Sequence, residues 1–293
     1  MKFLKLQSID FMGHRKVAYG ISIFLIVISV LSLGIQKLNY GVDFAGGTLL
    51  QYRFSREVSI EEIRDVLAEQ GLAKSVIQRF SPQEFVIRTV KLGEEEKKAL
   101  ETSLGEKLGE VQLVRIEEVG PAISLDLRRA GFIAFLGAIA GILVYVSLRF
   151  EFRPAVTSVI ALIHDGIVVL GLLSLFQREF TAPVLAAILT VLGYSINDSI
   201  VLMDRVRENL KLRKKEESFT GLVNRSINEM LSRTINTSLT TLLPVIALLF
   251  FGGKMLQDFA FTLFAGIVVG TYSSIFIASS LLVDWEARSP RRR

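Results

Sequence analysis

Three ionisable side chains sit inside stretches that are otherwise apolar, Asp198 and the neighbours His164 and Asp165, and a fourth, Arg233, opens another such stretch. Each such group costs roughly 2.5–3.5 kcal/mol to insert into a bilayer, so it marks either an ion path or a buried polar contact. Asp198 closes the run Gly193-Tyr194-Ser195-Ile196-Asn197-Asp198, and Ser195, Asp198, Leu202 and Arg205 follow helical spacing. Ser195 and Asp198 therefore share a face. Burial disfavours a charged carboxylate and a nearby cation favours it. A carboxyl balanced between the two can load and release a proton; the alternative is a static interhelical hydrogen bond. Arg233 is the natural counterpart, with Thr237, Thr240, Thr241 and Pro244 following on its face. Arginine does not give up its proton, so it would gate the carboxylate rather than carry the proton, unless it is only a basic anchor at the membrane interface. His164-Asp165 suggests a relay, although adjacent helix positions diverge and one of the two could be purely structural. Asp204 and Asp258 fall at the ends of apolar runs and read as structural residues at the interface.

These groups need helices long enough to hold them in a membrane. A span takes about 20 mostly apolar residues, and six segments qualify: 17–36, 130–148, 155–176, 182–203, 234–253 and 259–283. The first follows Lys2, Lys5, Arg15 and Lys16 but is too long for a signal-peptide core, and reads as an uncleaved anchor. The flanks on one side of the membrane carry 18 Lys/Arg and those on the other carry 5. By the positive-inside rule both termini are expected in the cytoplasm, with the segment after the first span outside. Gly137-x-x-x-Gly141 and Gly266-x-x-x-Gly270 each offer a close-packing face. Pro244 is expected to kink the fifth span.

Residues 38–127 differ from the rest, with 11 Lys/Arg against 16 Asp/Glu. Thr48–Phe54 reads as a strand, and Ser59-Ile60-Glu61-Glu62 as a capping box opening a helix to about Gln70. Strands over 76–80 and 84–90, a helix over 94–108 and a strand over 111–117 complete the order βαββαβ, a ferredoxin-like arrangement. One sheet face would be free for another protein, unless the domain is a solvated spacer. The expected organisation is an N-terminus and first span at 1–37, an extracytoplasmic domain at 38–129, a five-helix membrane bundle at 130–284 with a cytoplasmic loop at 204–233, and a basic tail at 285–293.

The chain has 293 residues, 51% of them hydrophobic and 22% charged, with a mean hydropathy of +0.46. That excludes a soluble enzyme and a disordered tail protein. The net charge of +5 lies beside apolar spans and does not point to nucleic acid. Cysteine is absent, and there is no phosphate loop, metal-ligand spacing or activated nucleophile. Gly46-Gly47 turns into a strand rather than a helix and is not a phosphate cradle.

Ordered along the chain are Gly41-Val42-Asp43-Phe44-Ala45-Gly46-Gly47, Val119-Gly120-Pro121, Phe150-Glu151-Phe152-Arg153-Pro154, His164-Asp165, 193–198, 204–209, Arg233-Thr234, 237–242 and 270–274. Together, at this spacing around six spans, they resemble the SecD/SecF family of the resistance-nodulation-division superfamily. The resemblance implies a non-enzymatic subunit in the bacterial inner membrane that pairs with SecD and joins the SecYEG channel and SecA. It would use protons, with no cofactor, to help release preproteins on the outer side. It also implies that Asp198 is the essential acidic residue and Arg233 the functional arginine. The expected pathway comprises Asp198, Arg233, Asp165, His164, Asn197, Ser195, Thr237 and Thr241. Two other readings stay open: half of a proton-coupled small-molecule or lipid exporter, and a passive assembly subunit in which Asp198 and Arg233 only hold helices together.

Overall fold

The computed structural model describes residues 9–213 and 216–289. The basic residues at Lys2, Lys5, Lys214, Lys215 and Arg291–Arg293 lie outside them. The chain divides into two compact units, Tyr40–Phe132 and the remainder.

In the smaller unit, β1 (Gly47–Phe54), α3 (Ile60–Glu69), β2 (Val76–Ser81), β3 (Glu84–Thr89), α4 (Glu94–Leu108) and β4 (Val111–Val119) follow one another. The sheet runs β2-β3-β1-β4 and every pairing is antiparallel. Its helix-facing side buries Leu50, Tyr52, Phe54, Phe85 and Ile87 against Ile63, Val66 and Leu67 of α3 and Leu100 and Leu104 of α4. The capping box forms: the Glu62 amide donates to Ser59 Oγ at 3.1 Å and the Ser59 amide to Glu62 Oε2 at 2.7 Å. A short helix, α2 (Val42–Ala45), ends at Gly46. Gly46 and Gly47 hold φ of +73° and +113°, and a Cβ on Gly47 would lie 2.2 Å from the Thr89 carbonyl oxygen, so this turn admits only glycine.

The larger unit holds helices long and apolar enough to cross a membrane. These are α1 (Arg15–Ile35), α5 (Pro121–Arg149, which begins within the smaller unit), α6 (Phe152–Leu175), α7 (Ala182–Lys211), α8 (Phe219–Phe251) and a composite last span. The composite is α9 (Gly253–Ser273), a π-helical turn over Ser274–Ala278, and α10 (Ser279–Arg288). With six such helices among the described residues, this is a multi-pass helical membrane protein. The segment expected as a loop at 204–233 is mostly helical, because α7 continues to Lys211 and α8 already starts at Phe219. Charged residues are good helix formers in water, so loss of hydropathy ended the apolar run without ending the helix. α8 also continues through Pro244. The buried centre is α6, α7 and the composite span, whereas α5 and α8 expose most of their surface.

The chain entering α1 is tied to α8. Asn228 Oδ1 accepts the Ile9 amide at 2.8 Å, and Asn224 Oδ1 accepts the amides of Phe11 and Met12 at 2.8 and 3.2 Å. Both asparagines also donate to the Ile9 carbonyl, at 3.0 and 2.9 Å. Arg15 and Tyr19 then reach Asp284 of α10, at 3.1 and 2.9 Å.

Candidate functional site

Close helix approach builds the polar centre of the bundle. A Cβ on Gly266 would lie 2.3 Å from Val191 Cγ1, and one on Gly270 would lie 2.8 Å from Ser195 Cβ. The two glycines let α9 sit against α7, as small residues do at membrane helix contacts. Gly137 and Gly141 have nothing within 4 Å, so the other glycine pair closes no contact here.

That approach delivers Ser273 to Asp165. Ser273 Oγ donates to Asp165 Oδ2 at 2.7 Å, and Ser195 Oγ donates to the same oxygen at 2.5 Å. His164 Nδ1 lies 3.0 Å from Asp165 Oδ1. The carboxylate is fully buried at 0% exposure. Adjacent positions on a helix were expected to diverge; the backbone directions do, but the imidazole is long enough to swing back onto its neighbour. A second layer follows, with Ser199 and Ser274 hydroxyls 2.9 Å apart and Ser274 Oγ donating to the Ser195 carbonyl at 3.3 Å. Ser274 opens the π turn. Such turns recur at functional sites because they shift side chains out of α-helical register.

Asp198 lies further along α7. It is 8% exposed, and its Oδ2 has no hydrogen-bond partner. Ser195, expected beside it, turns to Asp165 instead. Arg233 is exposed on α8 and makes no ion pair with Asp198. Asn197 is exposed. Thr237 Oγ1 donates to the Arg233 carbonyl at 3.0 Å, and Thr241 Oγ1 to the Thr237 carbonyl at 2.8 Å. These threonine hydroxyls donate to carbonyls of their own helix.

The seam between α8 and the bundle centre uses a residue that sequence reasoning missed. Tyr194 Oη donates to Ser238 Oγ at 3.2 Å, and Ser238 lies 2.8 Å from Thr271 Oγ1. Ser273 and Ser274 fall within the motif 270–274 but were not among the expected pathway residues. Asp204 and Asp258 hold Arg149 and Arg178 at 2.6 and 3.2 Å.

Residues 99–288 match the family described as protein export membrane protein SecD/SecF, C-terminal, and residues 31–58 match the SecD/SecF GG motif. The protein translocase subunit SecF of Desulfurispirillum indicum is 46% identical over 97% of this chain and 94% of its own length. That of Magnetococcus marinus is 44% identical over 99% and 96%. A crystal structure of SecDF, a translocon-associated membrane protein from Thermus thermophilus, superposes with a TM-score of 0.88 at 42% identity. It covers 96% of this chain, which spans 39% of the length of that longer protein. The chain therefore belongs to the SecD/SecF family of protein export membrane proteins.

Proposed function

We propose that this chain is the SecF-type subunit of a proton-driven accessory to the Sec preprotein translocase. It resides in the bacterial cytoplasmic membrane with both termini in the cytoplasm. Residues 38–129 form a ferredoxin-like domain on the outer side; the strand order and antiparallel pairing support that reading. The SecDF likeness supports a SecD-type partner, and with it work alongside SecYEG and SecA on the emerging preprotein.

The observation that carries the mechanism is Asp198, a carboxylate in a membrane helix with one oxygen unmatched by any donor. A group left so is poised to take a proton. Arg233, exposed on α8 and making no ion pair with Asp198, would be the gating cation. One charge crossing 100 mV yields about 2.3 kcal/mol. Turning a two-state element from 1:99 to 99:1 needs about 5.5 kcal/mol. At that potential about three protons per cycle would therefore suffice to bias the outer domain between two orientations.

The test is Asp198→Asn in proteoliposomes with the SecD-type partner and the translocase. We expect the complex to assemble and the proton-gradient stimulation of preprotein release to vanish. Full stimulation in the variant would leave only the passive assembly role. A reporter placed within 60–120 should be labelled from outside the cell, and labelling from the cytoplasm would reverse the topology.

A further inference from the structure

The stretch 204–209 takes no part in the expected proton pathway, yet nearly all of it is engaged. Asp204 of α7 holds Arg149, the last residue of α5, at 2.6 Å. Arg205 pairs with Glu208 at 2.8 Å and with Glu229 of α8 at 2.7 Å. Asn209 donates to Ser226 Oγ at 2.9 Å and to Glu229 Oε2 at 2.8 Å. Val206 is buried. Arg207 is the exception. It is exposed, and among the described residues it makes no ion pair and no hydrogen bond. Three residues apart on a helix, Arg207 and Asp204 share a face, so a second guanidinium stands beside the one that Asp204 already holds. Lys211 follows one turn later on that face, also exposed and also without an ion pair among the described residues.

Depth points to the missing counterion. Arg207 lies four residues beyond Met203, where the apolar run ends, which is about 6 Å along the helix. The headgroup layer is about 5–7 Å thick on each side of the hydrocarbon, so Arg207 falls among lipid phosphates. Leu148 and Phe152, on either side of Arg149 in sequence, are 84% and 73% exposed, apolar surface on which acyl chains can lie. A nucleic acid or an acidic protein would reach the two guanidiniums only by entering that layer.

We propose that Arg149 and Arg207 form a binding site for the phosphate of an anionic phospholipid, with Lys211 adding to the attraction. Arginine presents a planar fork of donors that fits phosphate oxygens. The lipid would bridge α7 to the end of α5, a span that buries little of its own surface. The site depends on the chain's spanning a membrane and not on proton coupling, so it stands or falls separately from the role of Asp198.

The test is native mass spectrometry of the full chain in mild detergent, titrated with phosphatidylglycerol, phosphatidylcholine or inorganic phosphate. We expect phosphatidylglycerol to bind at least about fivefold more tightly than phosphatidylcholine, the preference that one cation near an anionic lipid supplies, and inorganic phosphate not to displace it. Arg207→Gln should bring the two lipids to equal affinity. Arg207→Lys should keep part of the preference, because the charge survives and the fork is lost. Lys16→Gln, which removes an exposed cation near the start of α1, should leave the preference intact. As a second measure, phosphatidylglycerol should raise the thermal unfolding midpoint of the full chain in phosphatidylcholine nanodiscs and fail to do so for Arg207→Gln. An unchanged preference in Arg207→Gln, or an equal loss in Lys16→Gln, overturns the proposal. Displacement of the lipid by inorganic phosphate or by polyglutamate also overturns it, and would assign the two arginines to a soluble anion or an acidic protein.

Discussion

At the scale of single residues, the two intramembrane aspartates have opposite environments. Asp165 receives two hydroxyls and an imidazole, whereas Asp198 has an oxygen with no donor. Removing one donor from a buried acceptor costs about 1–3 kcal/mol, so Ser273→Ala should lower bundle stability by that amount in thermal unfolding with lipid present. A change within error would mean that the Ser273 contact contributes nothing. Asp198 could be singled out from sequence because a lone carboxylate in an apolar run has few harmless explanations. The Asp165 cluster was harder to read, since two of its members are serines on other helices, and a serine in a span is equally at home facing a small-residue contact. The row Thr237, Thr240 and Thr241 was legible as one face of α8, but the partners of its hydroxyls were not. Threonine hydroxyls can bond to the carbonyl a turn back, so a polar stripe on a helix wheel need not meet another helix.

At the scale of elements, the glycines of α9 govern the polar centre. Gly270→Ala would drive its new methyl against Ser195, and overpacking of this kind costs about 1–3 kcal/mol. We expect it to loosen the Ser195–Asp165 contact as well, read as faster hydrogen exchange in α7 and α9. Unchanged exchange would show that the helices can part without loss. In the smaller unit the Ser59 amide bond, then Arg56, hold the Glu62 carboxyl below its ordinary value of 4.5. A group depressed in the folded state stabilises above its unfolded value and loses that contribution as pH falls through the folded one. Glu62→Gln should therefore speed exchange at the start of α3 near neutral pH, with the difference closing as pH falls through the depressed folded value. Equal differences at all pH values would exclude a charge-dependent cap. The capping box and the strand alternation were legible because they are local in sequence. The helical continuation over 204–211 and 219–233 was not, since hydropathy reports the solvent around a helix rather than the helix itself.

At the scale of the whole molecule, burial is uneven. α6, α7 and the composite span form a centre, while Leu239, Leu243, Phe250 and Phe251 of α8 and Phe132, Ile133 and Leu148 of α5 stay uncovered. Lipid satisfies apolar side chains, so exposure alone calls for no partner, but Gly137 and Gly141 leave α5 with a small-residue face that nothing among the described residues fills. Because the chain has no cysteine, single replacements report unambiguously. Gly141→Cys should crosslink to a SecD-type partner and Val169→Cys, in the buried centre, should not; absence of crosslinking at both would assign the α5 face to lipid. The strap into α1 has its own consequence. Asn224 and Asn228 grip peptide groups rather than side chains, and the Ile9 side chain itself points outward. The identity of that side chain is free to drift over evolutionary time while the grip persists, so Ile9→Ala should be silent. Proline at the same position erases the amide that Asn228 holds, and would expose a dependence that scanning with alanine cannot register.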